Sequence, residues 1–167
     1  MNNKPKILIV DDDKSVLTSL LILFRHNGFE PTIENDPKRI KILLSENNFE
    51  AVILDMNFRR GHNEGKEGIF WLDTIKQTQP DLNVILFTAY GDVDLAVEAV
   101  KKGATDFILK PWNNDSLINK INSVINNNKV KVIENKEYKS KLVGASKSSE
   151  EVKSLVEKVS QSTVSVL

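Results

Sequence analysis

The feature that most constrains the fold of this chain is a regular alternation of short apolar runs with amphipathic segments. Five runs have the length and the β-branched content of strands buried in a parallel sheet, and the second of them is the weakest. A segment with apolar residues at helical spacing follows each run, so the pattern predicts a βα unit repeated five times. The predicted strands are Lys6–Val10, Phe29–Glu34, Glu50–Leu54, Asn83–Phe87 and Thr105–Leu109.

Capping residues indicate where the predicted helices begin and end. Asp36-Pro37 combines an N-cap with a proline at the first helical position, and Gly28 and Gly103 occupy positions where helices commonly end. Asp13 is predicted to cap the first helix. The predicted helices are Ser15–Asn27, Lys38–Glu46, Gly68–Thr78, a segment after Asp92 that carries Val93, Ala96, Val97 and Val100, and Asp115 to about Asn126.

Strict alternation of strands and helices predicts an α/β fold, a doubly wound parallel sheet with helices on both faces. Five strands suit the flavodoxin-like (βα)5 arrangement with strand order 2-1-3-4-5. In such sheets ligands bind beyond the carboxyl ends of the strands, at the switch point between the first and third strands. The position of the site is therefore predicted before any motif is considered.

Composition excludes several classes of function. The 167 residues include 23 basic and 23 acidic side chains, so no overall positive charge favours nucleic-acid binding. The absence of cysteine excludes disulfide scaffolds, cysteine-ligated metal sites and thiol catalysis. Without an apolar stretch of about 18 residues, no membrane span is expected. We expect a cytoplasmic protein with no membrane contact.

Polar side chains follow four of the predicted strands. Asp11 and Asp12 follow the first, Asp55 the third, Thr88 the fourth and Lys110 the fifth. Clustered carboxylates repel one another unless a cation is bound or protons are taken up. Because oxygen ligands without histidine or cysteine favour Mg²⁺, the sequence predicts a magnesium site with open positions for a phosphate-bearing partner.

Asp55 is the best candidate for a nucleophile toward phosphorus, since an aspartate carboxylate can form an acyl phosphate. Phosphoryl transfer depends on positioning and on neutralising the charge of the equatorial oxygens. Mg²⁺, the Lys110 ammonium and the Thr88 hydroxyl are predicted to hold one such oxygen each. We also expect a cis Lys110-Pro111 peptide bond, although only about 5–6% of such bonds are cis.

The motifs ILIVDDD, VILDMN, FTAYGD and GATDFILKPW, in this order on a (βα)5 pattern, resemble the receiver domain of bacterial response regulators over roughly residues 5–127. The resemblance implies that Asp11 and Asp12 bind Mg²⁺ together with Asp55 and the backbone carbonyl of Asn57. It implies a phosphoacceptor role for Asp55 and a sensor histidine kinase as its partner. The remaining positions of the family pattern fall on Thr88, Lys110 and an aromatic switch residue, Phe107.

The switch position, Phe107, and the interface candidate, Trp112, each also have a simpler structural interpretation. Phe107 stands where the family often has tyrosine, so it cannot donate a hydrogen bond, and it could be an ordinary core residue. Trp112 is predicted on the face formed by the fourth helix, fifth strand and fifth helix, where receivers commonly dimerise. The alternative is an isolated surface tryptophan.

The loop at residues 56–67 departs from the family pattern. Arg59 stands where a proline is usual, and the loop is longer, so that the matching glycine is Gly68. Its charged content could alter the lifetime of an acyl phosphate or select the kinase, but a solvated insertion without function is at least as well supported. The segment Gly61–Glu67 is not a Walker motif, because its glycine spacing and final glutamate are wrong.

The sequence divides into a receiver domain at residues 1–128, a charged linker or helical extension at 129–141, and a last segment at 142–167. The last segment is similar to the truncated start of the AAA+ ATPase domain of NtrC-type, sigma-54-dependent activators. Whether 129–141 forms a dimerising coiled coil stays open, since three asparagines precede it. ATPase activity and contacts with DNA and sigma-54 RNA polymerase would belong only to missing C-terminal domains.

The predicted function is that of a response regulator in two-component signal transduction. Asp55 would accept a phosphoryl group in a Mg²⁺-dependent step that changes self-association, as a homodimer, or the output for transcription regulation. Activity would be limited to self-phosphorylation and slow self-dephosphorylation. An aspartyl-phosphate phosphatase is disfavoured because Asn57 stands where a second acid is needed. A flavin-binding module is disfavoured by the three aspartates, and a pseudo-receiver by the intact polar set.

Overall fold

The fold of the chain is taken from a computed structural model, which describes residues 4–58, 66–89 and 93–127. Strands and helices alternate along the chain. The strands are β1 Lys6–Val10, β2 Glu30–Glu34, β3 Ala51–Asp55, β4 Asn83–Ala89 and β5 Asp106–Lys110; the helices are α1 Lys14–His26, α2 Ile40–Glu46, α3 Lys66–Thr78, α4 Val93–Lys101 and α5 at residues 114–127.

The five strands form one parallel sheet with the order β2-β1-β3-β4-β5, which confirms the predicted flavodoxin-like topology. Alternate residues of each strand enter different layers. Leu8 and Val10 pack in a cluster with residues of α2, α3 and α4, whereas Ile7 and Ile9 pack with residues of α1 and α5. Helices therefore cover both faces of the sheet, as the continuous apolar strands predicted.

Local signals explain most helix boundaries. The Asp13 carboxylate accepts from the Ser15 N–H at 2.9 Å at the start of α1, and Gly28 adopts a φ of 84° just beyond its end. The Asp36 carboxylate accepts from the Lys38 N–H at 3.0 Å, but the turn that it caps, Pro37–Arg39, is a 3-10 helix rather than the first turn of α2.

One predicted helix boundary was wrong. Helix α3 spans Lys66–Thr78, so Lys66 and Glu67 belong to the helix that was predicted to begin at Gly68. The predicted helix after Asp92 is present as α4; among its described side chains Ala99 is buried, and Val97 and Val100 are about half exposed. The side chains of Val93 and Ala96 are not described. Asp92, which was predicted to cap this helix, lies outside the described residues.

Candidate phosphoacceptor site

The predicted polar residues meet at the carboxyl edge of the sheet. Asp11 directly follows β1, Asp55 ends β3 and Lys110 ends β5, while Thr88 lies near the end of β4. The strand register places Asp55 opposite Phe87 and Thr88 opposite Leu109. Parallel pairing therefore brings residues far apart in the sequence to one edge.

The centre of the site is an ion-pair network around Lys110. Its Nζ lies 2.7 Å from Oδ2 of Asp11 and 2.8 Å from Oδ1 of Asp55. Both carboxylates are almost completely buried, with residue exposures of 2% and 5%. Since buried charges need partners, one ammonium neutralises part of the charge of two carboxylates.

Backbone amides fix the other carboxylate oxygens. The Asp13 N–H donates to Oδ1 of Asp11 at 2.8 Å, and the Asn57 N–H donates to Oδ2 of Asp55 at 3.1 Å. These bonds leave the carboxylates oriented toward one another and toward Lys110. The Lys110-Pro111 peptide bond is cis, as predicted.

The electrostatics of the site follow from burial and charge crowding. Burial raises the pKa of Asp55 from 3.8 to about 6; Lys110 opposes this shift, and the negative charge of Asp11 adds to it. Burial alone would lower the pKa of Lys110, but the two carboxylates outweigh that effect, so the pKa of Lys110 is raised. The site therefore favours the charged form of Lys110 and disfavours the charged form of Asp55.

The donor set fits a divalent cation with a preference for oxygen. Carboxylate oxygens of Asp11, Asp12 and Asp55 lie within 4.8 Å of one another. Opposite ligands of Mg²⁺ are separated by about 4.2 Å, twice the usual metal–oxygen distance. Asp12 is exposed, so the group is open to solvent on one side. The predicted acidic cluster is thus present and has the chemistry of a magnesium site.

The hydroxyl position lies near the carboxyl end of β4, and the aromatic position lies earlier in the neighbouring strand β5. Thr88 is buried in β4, with 1% exposure. Phe107 in β5 is half-buried and packs against the cluster on the side of α2, α3 and α4. Trp112 is half-buried as well, with its ring centroid 5.1 Å from that of Phe87. An isolated surface tryptophan is therefore excluded.

Two residues that contact predicted site or switch positions were missed in the sequence. The buried Glu34 carboxylate accepts from the N–H groups of Asn35 and Asp36, at 2.8 and 2.9 Å, and pairs with Arg39 at 3.0 Å. Its backbone carbonyl accepts from the Asp11 N–H at 3.2 Å. Glu34 thus links the loop after β2 to the acidic cluster. The second residue, Lys120 of α5, contacts the Phe107 backbone.

Sequence and structure comparisons identify the family. Residues 7–122 match the response regulator receiver domain. A putative NtrX-like response regulator of Rickettsia felis is 35% identical over 137 residues, which are 82% of this chain and 28% of that protein. The transcriptional regulatory protein FixJ of Bradyrhizobium diazoefficiens is 35% identical over 125 residues, 75% of this chain and 58% of that protein.

Solved structures agree with this assignment. The N-terminal signal receiver domain of a two-component response regulator from Bacteroides fragilis is 43% identical, with a TM-score of 0.66, and the match covers 74% of this chain and 98% of that domain. This chain spans 28% of the length of its NtrX-like relative. None of the helices in the described ranges has both the length and the apolar character that a membrane span requires.

Receiver domains are signalling phosphoacceptor domains of two-component systems and bind Mg²⁺ at an acidic pocket, and Asp11, Asp12 and Asp55 form such a pocket here. The chain belongs to the response regulator receiver domain family.

Proposed function

We propose that Asp55 accepts a phosphoryl group from the phosphohistidine of a sensor histidine kinase. The observation that carries the proposal is the placement of the buried Asp55 carboxylate at the end of β3, with Oδ1 lying 2.8 Å from Nζ of Lys110. A carboxylate oxygen of Asp55 would attack phosphorus. The bond between phosphorus and the imidazole nitrogen breaks, its electron pair stays on the imidazole, and an acyl phosphate forms.

Asp11, Asp12 and Asp55, with the backbone carbonyl of Asn57, are the residues that would hold Mg²⁺. When bound, the ion supplies positive charge for the phosphoryl oxygens. The three carboxylate groups lie close enough together to share one cation. The Asn57 N–H, which bonds Oδ2 of Asp55, fixes the residue whose carbonyl we assign to the ion.

Lys110 and Thr88 have complementary tasks in this proposal. The Lys110 ammonium, already within 2.8 Å of both carboxylates, would turn toward an oxygen of the transferred group. The buried Thr88 hydroxyl would donate to another oxygen once Asp55 is phosphorylated. Both contacts stabilise charge that is absent before transfer, so they favour the phosphorylated state.

The output would be a population shift between two arrangements of this end of the sheet. Inward movement of Thr88 on β4 would vacate space, and Phe107 on the adjacent strand would fill it. Because Phe107 is half-buried and lies on the last strand of the sheet, a movement of its ring would change the surface at the outer edge of β5.

That edge carries apolar surface suited to self-association as a homodimer. Val97 and Val100 of α4 and Leu109 of β5 are all exposed apolar side chains. Trp112 follows β5 and helps to line a cavity of about 320 Å³ between β5 and α5. We assign the dimerising face to α4, β5 and α5 on these grounds.

For the whole protein we propose an NtrC-type activator, with a receiver at residues 1–128, a linker at 129–141 and the start of an AAA+ ATPase domain at 142–167. The last two segments lie outside the described residues. The match to the NtrX-like relative supports a continuation past the receiver into the linker, because its 137 residues are more than residues 1–127 contain. ATPase activity and contacts with DNA and sigma-54 RNA polymerase would require domains beyond these residues. Cytoplasmic localisation stays a prediction.

Intact mass spectrometry tests the phosphoacceptor proposal. The chain is incubated with acetyl phosphate and Mg²⁺, with and without EDTA, beside Asp55→Asn and the matched control Asp13→Asn. We expect one phosphoryl adduct that needs Mg²⁺, is absent in Asp55→Asn and persists in Asp13→Asn, since the Asp13 carboxylate caps the exposed start of α1. No adduct in the unmodified chain, together with no binding of Mg²⁺, would leave a pseudo-receiver that acts only through protein contacts.

A further inference from the structure

The backbone of Phe107 is held by side chains at the open edge of the sheet. Strand β5 is last in the strand order and, within the described residues, pairs with β4 alone. The Phe107 N–H donates to Oδ1 of Asp106 at 2.7 Å, and the Phe107 carbonyl accepts from Nζ of Lys120 at 3.0 Å. At an edge strand such groups would otherwise face solvent or another strand.

Lys120 contacts Phe107 in a second way. Its Nζ lies 5.8 Å from the centroid of the Phe107 ring, within the distance at which an ammonium is attracted to an aromatic face. The same nitrogen pairs with Oδ2 of Asp106 at 3.0 Å. The Lys120 ammonium on α5 therefore contacts the ring and the carbonyl of Phe107, and also the Asp106 carboxylate that accepts from the Phe107 N–H.

The contact between Lys120 and the Phe107 ring matters because phenylalanine has no hydroxyl. A tyrosine at this position could be held in an outer orientation by its hydroxyl, but Phe107 has no polar atom on its ring. The face of the ring can still attract a cation. With Lys120 fixed by the Phe107 carbonyl and by Asp106, the cation is already in place.

We propose that Lys120 is a positioning residue for Phe107. Lys120 holds the aromatic ring of Phe107 in its resting orientation and thereby opposes the switch to the phosphorylated arrangement. This inference rests on the proposed function, because it assigns Lys120 to the same switch. A ring that moves toward Thr88 gives up its contact with the ammonium. Removal of the contact therefore favours the phosphorylated arrangement by the same free energy.

The test measures the affinity of the full chain for beryllofluoride, a phosphoryl mimic, at saturating Mg²⁺ by isothermal titration calorimetry. We expect Lys120→Met to bind about two- to five-fold more tightly than the unmodified chain, the factor that a surface cation–π contact can supply. Lys120→Arg keeps the cation and should bind like the unmodified chain. Lys120→Gln serves as the uncharged variant if Lys120→Met does not fold.

A double-mutant cycle separates positioning from a merely structural role. In a Phe107→Leu background, where no aromatic face remains, Lys120→Met should leave the affinity unchanged. The inference is overturned if Lys120→Met binds no more tightly, or if its effect is equally large in the Phe107→Leu background. Failure of the unmodified chain to bind beryllofluoride at all would instead overturn the proposed function, and with it this inference.

Discussion

The ammonium of Lys110 lies 2.8 Å from Oδ1 of Asp55, yet the pKa of Asp55 is raised to about 6. Burial is the largest cause, and the neighbouring charge of Asp11 adds to it. Lys110 cannot compensate fully because it also bonds Asp11, at 2.7 Å. The site has more negative charge than its own lysine neutralises, so a cation or a proton must supply the difference.

Asp55 should therefore destabilise the metal-free fold at neutral pH. The pKa of Asp55 in the folded chain is about 6, above the ordinary value of 3.8 that applies to the unfolded chain. The stabilising contribution of the protonated carboxyl is therefore fully present below pH 3.8 and is lost as the pH rises through about 6. Asp55→Asn does not undergo this loss. The free energy of unfolding of the variant, minus that of the unmodified chain, should rise by about 2 kcal/mol between pH 4 and pH 8.

Urea denaturation in EDTA at several pH values measures this difference. Asp13→Asn is the control, because its carboxylate lies at the exposed start of α1. A difference that stays constant or falls with rising pH would contradict the assignment of the raised pKa to Asp55.

Magnesium should relieve the same charge imbalance. We expect Mg²⁺ to raise the urea midpoint of the unmodified chain at pH 8, since a ligand that binds only the folded state stabilises it. Asp12→Asn should weaken Mg²⁺ binding at least about tenfold by removing a carboxylate ligand, whereas Asp13→Asn should not. Titration calorimetry with MgCl₂ gives both affinities, and equal affinities for the two variants would exclude Asp12 as a ligand.

The sequence predicted the carboxyl-end residues because two strong regularities determine them. Apolar strand runs fixed the position at which each strand ends, and parallel topology brought those ends to one edge. Asp11, Asp55, Thr88 and Lys110 could therefore be placed without a structure. Their shared site depends on the fold and not on local sequence details.

Other features depend on contacts that periodicity cannot supply. Among the described side chains of α4, Ala99 is buried and Leu95 packs against the core, whereas Val97 and Val100 are about half exposed. Lys120 was indistinguishable in the sequence from a solvated helix residue. Its contact with Phe107 joins two residues on different elements, and only the packing of α5 on β5 reveals it.

Gly68 should be required at the start of α3. A Cβ atom there would lie 2.6 Å from the Cα and 2.9 Å from the carbonyl oxygen of Met56, which directly follows Asp55. An alanine would ordinarily favour a helix over glycine by up to about 1 kcal/mol. Because the obstructing atoms are backbone, we expect Gly68→Ala to reduce the free energy of unfolding by about 1–3 kcal/mol instead.

The matched control is Gln77→Ala, an exposed position of the same helix, which should not be destabilising. The displacement of Met56 should also slow formation of the phosphoryl adduct from acetyl phosphate. If Gly68→Ala is as stable as the unmodified chain, α3 does not approach β3 as closely as the structure indicates.

Trp112 should report on the occupied site through Phe87. The two rings are 5.1 Å apart, and the Lys110 ammonium lies 5.9 Å from the centre of the Phe87 ring. Movement of Lys110 toward a phosphoryl oxygen changes the charge beside Phe87 and hence the surroundings of the indole. We expect a saturable change in Trp112 emission when beryllofluoride is added with Mg²⁺.

Because Trp71 lines a cavity beside Asp12, the titration needs a Trp71→Phe background to isolate Trp112. Phe87→Leu in that background should reduce the emission change while leaving the affinity within about twofold, since Phe87 itself offers no ligand to the ion. A full emission change in Phe87→Leu would show that Trp112 senses the site by another route. An emission that never responds, despite binding seen by calorimetry, would place the movement of Lys110 away from Phe87.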